Sequence, residues 1–178
     1  MVSLVIGGAR SGKSRFAQSL GAAAEHPVYI ATARVEDSEM AERIARHQAD
    51  RPPQWTTVEE PLDIAGAVAR HRGAGFILID CLTLWLSNLC WEGREASEAA
   101  IEDAAMRQIE CVAKTAPATH VVLVSNEVGC GLVPESAVGR AFRDLQGRVN
   151  QTVAQLASQV FLMVAGIPVA VKQPGRRS

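Results

Sequence analysis

The chain has 178 residues, enough for one domain with one sizeable core. It is 48% hydrophobic with a formal net charge of −1, which excludes a globally basic nucleic-acid surface and leaves any anion to a local site. The longest apolar run, VFLMVAGIPVAV, is interrupted by Gly166 and Pro168 and falls short of the roughly 20 residues that span a bilayer.

The chain enters a strand at once, over 2–6, with no basic leader segment ahead of it. Further short apolar runs at 28–31, 76–79, 121–124, 161–165 and 169–171 read as strands. Between them the periodicity predicts helices near 13–24, 38–49, 61–71, 82–91, 97–114 and 136–158, with Pro61 in the first turn of its helix. Buried strands alternating with helices predict an α/β fold, a mostly parallel sheet with helices on both faces. The expected organisation is a single P-loop nucleotide-binding catalytic domain over 1–171 and a loose tail over 172–178. Cys81, Cys90, Cys111 and Cys130 lack C-x-x-C spacing and an accompanying histidine pair, so they read as small buried thiols in a reducing cytoplasm.

In a parallel sheet, ligands sit at the carboxyl ends of the strands, so the residues following each run matter most. After the first run comes GGARSGKS: Gly7, Gly8, Ala9, Arg10, Ser11, Gly12, Lys13 and Ser14. This fits G-x-x-x-x-G-K-[ST], placed after a strand and before a helix. Glycines let the backbone N–H groups curl toward phosphates, and the helix adds its positive end. Lys13 is expected on the β- and γ-phosphates, and the Ser14 hydroxyl on Mg²⁺. Asp80 ends the run FILID and is either a second Mg²⁺ ligand or a cap of the next helix. Asn126 and Glu127 end another run; Glu127 either positions an attacking hydroxyl or bonds loop backbone.

RIARHQADRP, at 43–52, places His47 in the last turn of a helix, with Arg43 one turn before it. His47 is either a half-buried residue favoured by the helix C-terminus or a nucleophile beside a polyphosphate held by arginines. A P-loop serves kinases, regulatory GTPases and motor ATPases alike. No N-K-x-D stretch is present to read guanine in the manner of GTPase switches, and a short neutral chain does not suit a motor. A compact small-molecule kinase is the default, with a nucleotide-binding regulator of a protein partner as the alternative.

GGARSGKS, YIATA, RIARHQADRP, WTTVEEP, LIDCLT, VSNEVGCGLVPE and FRDLQGRVNQ follow one another along residues 3–171. This ordered set resembles the bifunctional adenosylcobinamide kinase / adenosylcobinamide-phosphate guanylyltransferase family of cobalamin biosynthesis. The resemblance implies a three-layer P-loop fold of RecA-like type, a homotrimer, and ATP, GTP and Mg²⁺ as nucleotides and cation. It implies phosphorylation of the corrinoid adenosylcobinamide, then transfer of GMP from GTP to adenosylcobinamide-phosphate through a GMP–histidine intermediate. His47 is the only histidine in the matching stretch. The resemblance further implies guanine-nucleotide contacts at Ala31, Thr32, Ala33, Gln48, Ala49, Asp50, Arg51, Glu59 and Asp80. This chain departs from the family by Arg46–His47 in place of a histidine pair in some members, and by YIATA in place of a common IATS. Neutral imidazole, with a reference pKa of about 6.5, suits nucleophilic attack near neutral pH, and neighbouring arginines would hold it neutral.

Overall fold

The computed structural model describes residues 1–34, 41–42, 53–116 and 119–174. Apart from 41–42, the predicted helix over 38–49 lies outside the described residues, and so do His47, Gln48, Ala49, Asp50 and Arg51.

Among the described residues the elements are β1 (Val2–Gly7), α1 (Lys13–Leu20), β2 (Val28–Ala31), β3 (Thr56–Glu59), α2 (Ile64–Arg70), β4 (Phe76–Asp80), α3 (Leu82–Glu92), α4 (Glu98–Thr115), β5 (His120–Asn126), α5 (Ala137–Leu156), β6 (Gln159–Val164) and β7 (Ile167–Lys172). The strands form one sheet in the order β3-β2-β4-β5-β1-β6-β7. All pairs are parallel except β6–β7, a hairpin turned by Ala165 (φ 50°) and Gly166 (φ 84°). The mostly parallel α/β sheet expected from the alternating pattern is therefore observed.

Helix boundaries follow local hydrogen bonds. Ser97 and Ser136 cap α4 and α5 by accepting from Ala100 N and Gly139 N. Three expectations need correction. Pro61 is outside α2, because Asp63 caps that helix by accepting from Gly66 N (2.8 Å), while Glu60 Oε1 accepts from Leu62 N and Asp63 N and holds the preceding turn. Helix α1 ends at Leu20 rather than near 24, with Gly21 pressed on Phe76, where a Cβ would come within 2.7 Å of the ring. Strand β3 had no counterpart in the predicted strands, since only Val58 of its four residues is apolar. Lys172, expected in the tail, ends β7 and donates from Nζ to Ala154 O (2.9 Å) and Gln155 O (3.1 Å).

Alternation along the strands divides the core into two layers. Leu4, Ile30, Ile77, Ile79, Val121 and Leu123 face α2–α5, where Trp85, Ile109 and Val149 are buried. Val5, Tyr29, Leu78, Val122 and Val124 face α1. On the same face, edge-to-face contacts join Tyr29, Trp55, Phe76 and His120 in a row.

His120 begins β5, bonds Ser3 Oγ (2.9 Å) and packs on Phe76. Burial, and secondarily the Met1 amino group, hold its pKa below the ordinary 6.5. The unfolded chain therefore binds this proton more tightly than the folded one. The stability linked to His120 is complete above about pH 6.5 and is lost as pH falls from there through the lowered folded value. Replacing His120 with Gln should flatten the fall in melting temperature between pH 7 and 5; an unchanged slope would remove His120 from the acid response.

Candidate active site at the carboxyl rim

Strand β1 lies between β5 and β6, and its last residue is Gly7. A Cβ at Gly7 would sit 2.7 Å from Met163 O and 2.9 Å from Ser11 Oγ, so the chain leaves the sheet only as glycine. Arg10 (φ 56°) and Gly12 (φ 90°) adopt the left-handed region and curl the loop before α1 begins at Lys13. The Lys13 side chain is buried and donates from Nζ to Gly8 O (2.6 Å), lying back over the loop. Ser11 Oγ is buried without a hydrogen-bond partner. A buried hydroxyl in that state is costly until an acceptor arrives, which fits a phosphate-binding loop. The β6–β7 turn supports the loop from outside: Gly166 N donates to Ser11 O (3.0 Å).

Parallel register places the other predicted residues on the same rim. Ala31 is in register with Glu59 on one side and Asp80 on the other, so these three ends lie abreast. Gly7 is in register with Asn126, and Glu127 N donates to Gly7 O (3.1 Å). Because β5 lies between β1 and β4, Asn126 and Glu127 stand between the P-loop and Asp80. At about 4.8 Å per strand, Asp80's strand is about 10 Å from β1, a span suited to an extended polyphosphate.

Asp80 does not cap α3; the cap position is Cys81, with no side-chain bond. Its Oδ2 instead accepts from Tyr29 OH (2.6 Å). Asp80 Oδ1 and the Ser14 hydroxyl are hard oxygen donors of the kind Mg²⁺ takes, alongside phosphate oxygens. No cluster of three or more His, Cys, Asp or Glu suited to a metal occurs among the described residues, so a cation here would depend on the ligand's phosphates for the rest of its shell. Burial, then the charge of Asp80, push the Cys81 thiol up to about 11, which leaves it protonated and excludes it as a nucleophile. Glu127 Oε1 accepts from Gly129 N (2.5 Å), the loop-bonding arrangement of the two foreseen for it.

Several supporting contacts gave no signal in the sequence. Thr32 Oγ1 donates to Cys81 O and accepts from Cys81 N, each at 2.8 Å, clasping the ends of β2 and β4 together. Asn88 Nδ2 donates to Thr32 O (2.8 Å) and Pro61 O (3.1 Å), tying α3 to the exits of β2 and β3. Thr32 and Ala33 therefore follow β2 on a braced path, while Glu59 is exposed at the sheet edge.

Replacing Asp80 with Asn should raise the Mg²⁺ concentration needed for half-maximal nucleotide binding about tenfold, roughly 1.4 kcal/mol, with metal-free binding less affected. A Mg²⁺ requirement equal to that of the parent would show that Asp80 serves only as Tyr29's acceptor.

Comparison with known proteins agrees with this geometry. The bifunctional adenosylcobalamin biosynthesis protein CobP of Pseudomonas aeruginosa is 41% identical over 176 residues, 97% of this chain and 98% of that protein. The bifunctional adenosylcobalamin biosynthesis proteins CobU of Escherichia coli and Salmonella typhimurium are 41% and 44% identical, over 97% of this chain and 100% of each. A prototypical ATPase from a bacterial type III secretion system superposes with a TM-score of 0.56 at 12% identity, over 95% of this chain and 56% of that one, a likeness of fold that supports the P-loop architecture. The model of one family, cobinamide kinase / cobinamide phosphate guanyltransferase, matches residues 3–171, and the chain belongs to that family.

Proposed function

We propose that this enzyme phosphorylates the hydroxyl of adenosylcobinamide and then transfers GMP from GTP to the new phosphate, giving adenosylcobinamide-GDP, within a single catalytic domain over 1–171. The observation that carries the reading is one triphosphate cradle, Gly7–Ser14, on the same rim as Ala31, Glu59, Asp80 and Glu127. ATP or GTP feeds the first step and GTP the second. Ser14 and Asp80 would hold Mg²⁺, which when bound would offset phosphate charge.

In the first step Lys13 and the loop N–H groups hold the triphosphate. The acceptor hydroxyl attacks the γ-phosphorus and gives up its proton to solvent, the bond to the β-phosphate oxygen breaks, and nucleoside diphosphate leaves. Glu127, standing between the P-loop and Asp80, exchanges its Gly129 bond for the acceptor hydroxyl and orients it. In the second step the His47 imidazole attacks the α-phosphorus of GTP and pyrophosphate leaves. The acceptor phosphate then attacks the same phosphorus, the P–N bond breaks, and imidazole is regenerated. Arginines near His47 in sequence offset charge on the phosphates. Gln48, Ala49, Asp50 and Arg51 join Ala31, Thr32, Ala33 and Glu59 in contacting the guanine nucleotide.

The other histidines support His47 by their positions. His26 and His71 precede β2 and β4 and His120 begins β5, so all three lie at the amino end of a parallel sheet, opposite the P-loop. His71 Nδ1 is within 2.9 Å of Ala67 O at the end of α2, and His120 is bonded to Ser3.

Exposed Ile167, Val169 and Val171 on the edge strand β7 support self-association, and the family resemblance makes the assembly a homotrimer. Of the cysteines expected to be buried, Cys81 is buried and Cys90 half-buried, but Cys111 and Cys130 are exposed; all four are unpaired, which is consistent with a cytoplasmic location. Among the described residues no helix is long and apolar enough to cross a membrane.

Replacing Lys13 with Ala should lower kcat/KM of both steps at least about tenfold, the loss of a charged hydrogen bond; a normal rate in either step would require a second triphosphate site. His47→Ala should abolish acid-labile labelling by α-³²P-GTP and formation of adenosylcobinamide-GDP, and leave phosphorylation within about tenfold, roughly 1.4 kcal/mol of barrier. Persistent labelling would assign the adduct to another residue. Nucleotide hydrolysis without any adduct in the parent enzyme would favour a regulatory nucleotide-binding protein instead.

A further inference from the structure

One arginine near the rim has no role in either step as described. Arg143 lies on α5, three residues before Gln146 and seven before Asn150, so the three share a helix face. That face is fixed to the carboxyl end of β5. Asn150 Nδ2 donates to Asn126 O (3.2 Å), and Ser125 Oγ donates to Asn150 Oδ1 (2.6 Å). Gln146 Nε2 donates to Ser125 Oγ and Asn150 Oδ1, both at 3.1 Å. From Asn150 the helix descends to the amino end of the sheet, where Ser158 N donates to Val2 O (2.9 Å). The opposite direction leads past the end of β5.

Arg143 is about 10 Å along the axis beyond Asn150, and helical side chains tilt further toward the N-terminus. Its position is therefore above Asn126 and Glu127, on the face of the sheet opposite α1, since α5 packs with α2–α4. Arg143 Nη1 is buried and has no hydrogen-bond partner. Its sequence neighbour Asp144 is exposed. A buried guanidinium N–H without an acceptor is unfavourable, and its fork geometry matches phosphate oxygens.

We propose that Arg143 forms an anion subsite for the acceptor: it binds the phosphate monoester of the second step, across the rim from the triphosphate. The proposal rests on the two-step reading above. The triphosphate already has the P-loop N–H groups and Lys13 on the α1 side, while Arg143 reaches the rim from the other face. Of the two acceptors, the alcohol is neutral at its reacting end and the phosphate monoester is an anion. Only the second gains a charge-assisted contact from a guanidinium, so Arg143 would tell the two acceptors apart and hold the phosphorylated one for attack.

The test uses the full-length enzyme with Arg143→Met and Arg143→Lys. For each, melting temperature, self-labelling by α-³²P-GTP without acceptor, and kcat and KM for the two acceptors are measured. Expected in Arg143→Met is a rise of about 10- to 100-fold in KM for the phosphorylated acceptor, well beyond any change for the alcohol. Arg143→Lys should recover part of it. Inorganic phosphate, as a competitor of the phosphorylated acceptor, should lose potency in parallel. Equal KM changes for both acceptors, or none, would overturn the subsite. Loss of self-labelling in a folded variant would also overturn it, by placing Arg143 on the triphosphate. If Arg143→Met does not fold, Arg143→Lys decides: a selective, severalfold KM rise supports the subsite and none refutes it. A parent enzyme that neither labels nor transfers refutes the two-step reading, and this subsite with it.

Discussion

The turn from β1 into α1 has to curl within a few residues into a P-loop, and the remaining structure accommodates that demand. Gly7 has no room for a side chain against Met163 O, and Gly12 has a φ of 90°. The neighbours that crowd Gly7 also brace the loop: β6 runs alongside β1, and the β6–β7 turn bonds Ser11 O through Gly166 N. A loop held this firmly is organised before its ligand binds, so less ordering cost falls on binding.

Parallel register extends that local requirement to a site. Every parallel strand ends on the same side, so Asp80, Ala31, Glu59 and Asn126 reach the rim without long loops. The interposed β5 sets Glu127 between the triphosphate cradle and the acidic end of β4. Polar side chains then tie the strand ends to one another and to helices on the α2–α5 face, Thr32 to Cys81, Asn88 to Thr32, and Asn150 to Asn126. These contacts are buried or partly buried, where a satisfied network rigidifies and a broken one is costly.

Much of this was legible because it is encoded locally. The P-loop is contiguous, helical periodicity marks α4 and α5, and apolar runs mark the central strands. Strand β3 was missed because an exposed edge needs no apolar alternation, and TTVE carries only Val58 as a signal. The start of α2 was misplaced because Glu60 and Asp63 satisfy the turn that Pro61 was expected to open. Tyr29 and Asp80 are 51 residues apart, and Ser125, Gln146 and Asn150 meet only once β5 and α5 pack. Such pairings depend on tertiary register, which no spacing in one sequence displays. Glu59 entered through family resemblance alone, and the register then set it beside Ala31.

The central claim is that one triphosphate site, built on Gly7–Ser14, serves both phosphoryl and guanylyl transfer. Calorimetric titration of the enzyme with slowly hydrolysed ATP and GTP analogues in the presence of Mg²⁺ tests it most directly. One triphosphate bound per chain, with each analogue displacing the other, is the predicted result. Two analogues bound to one chain at once, without competition, would contradict it.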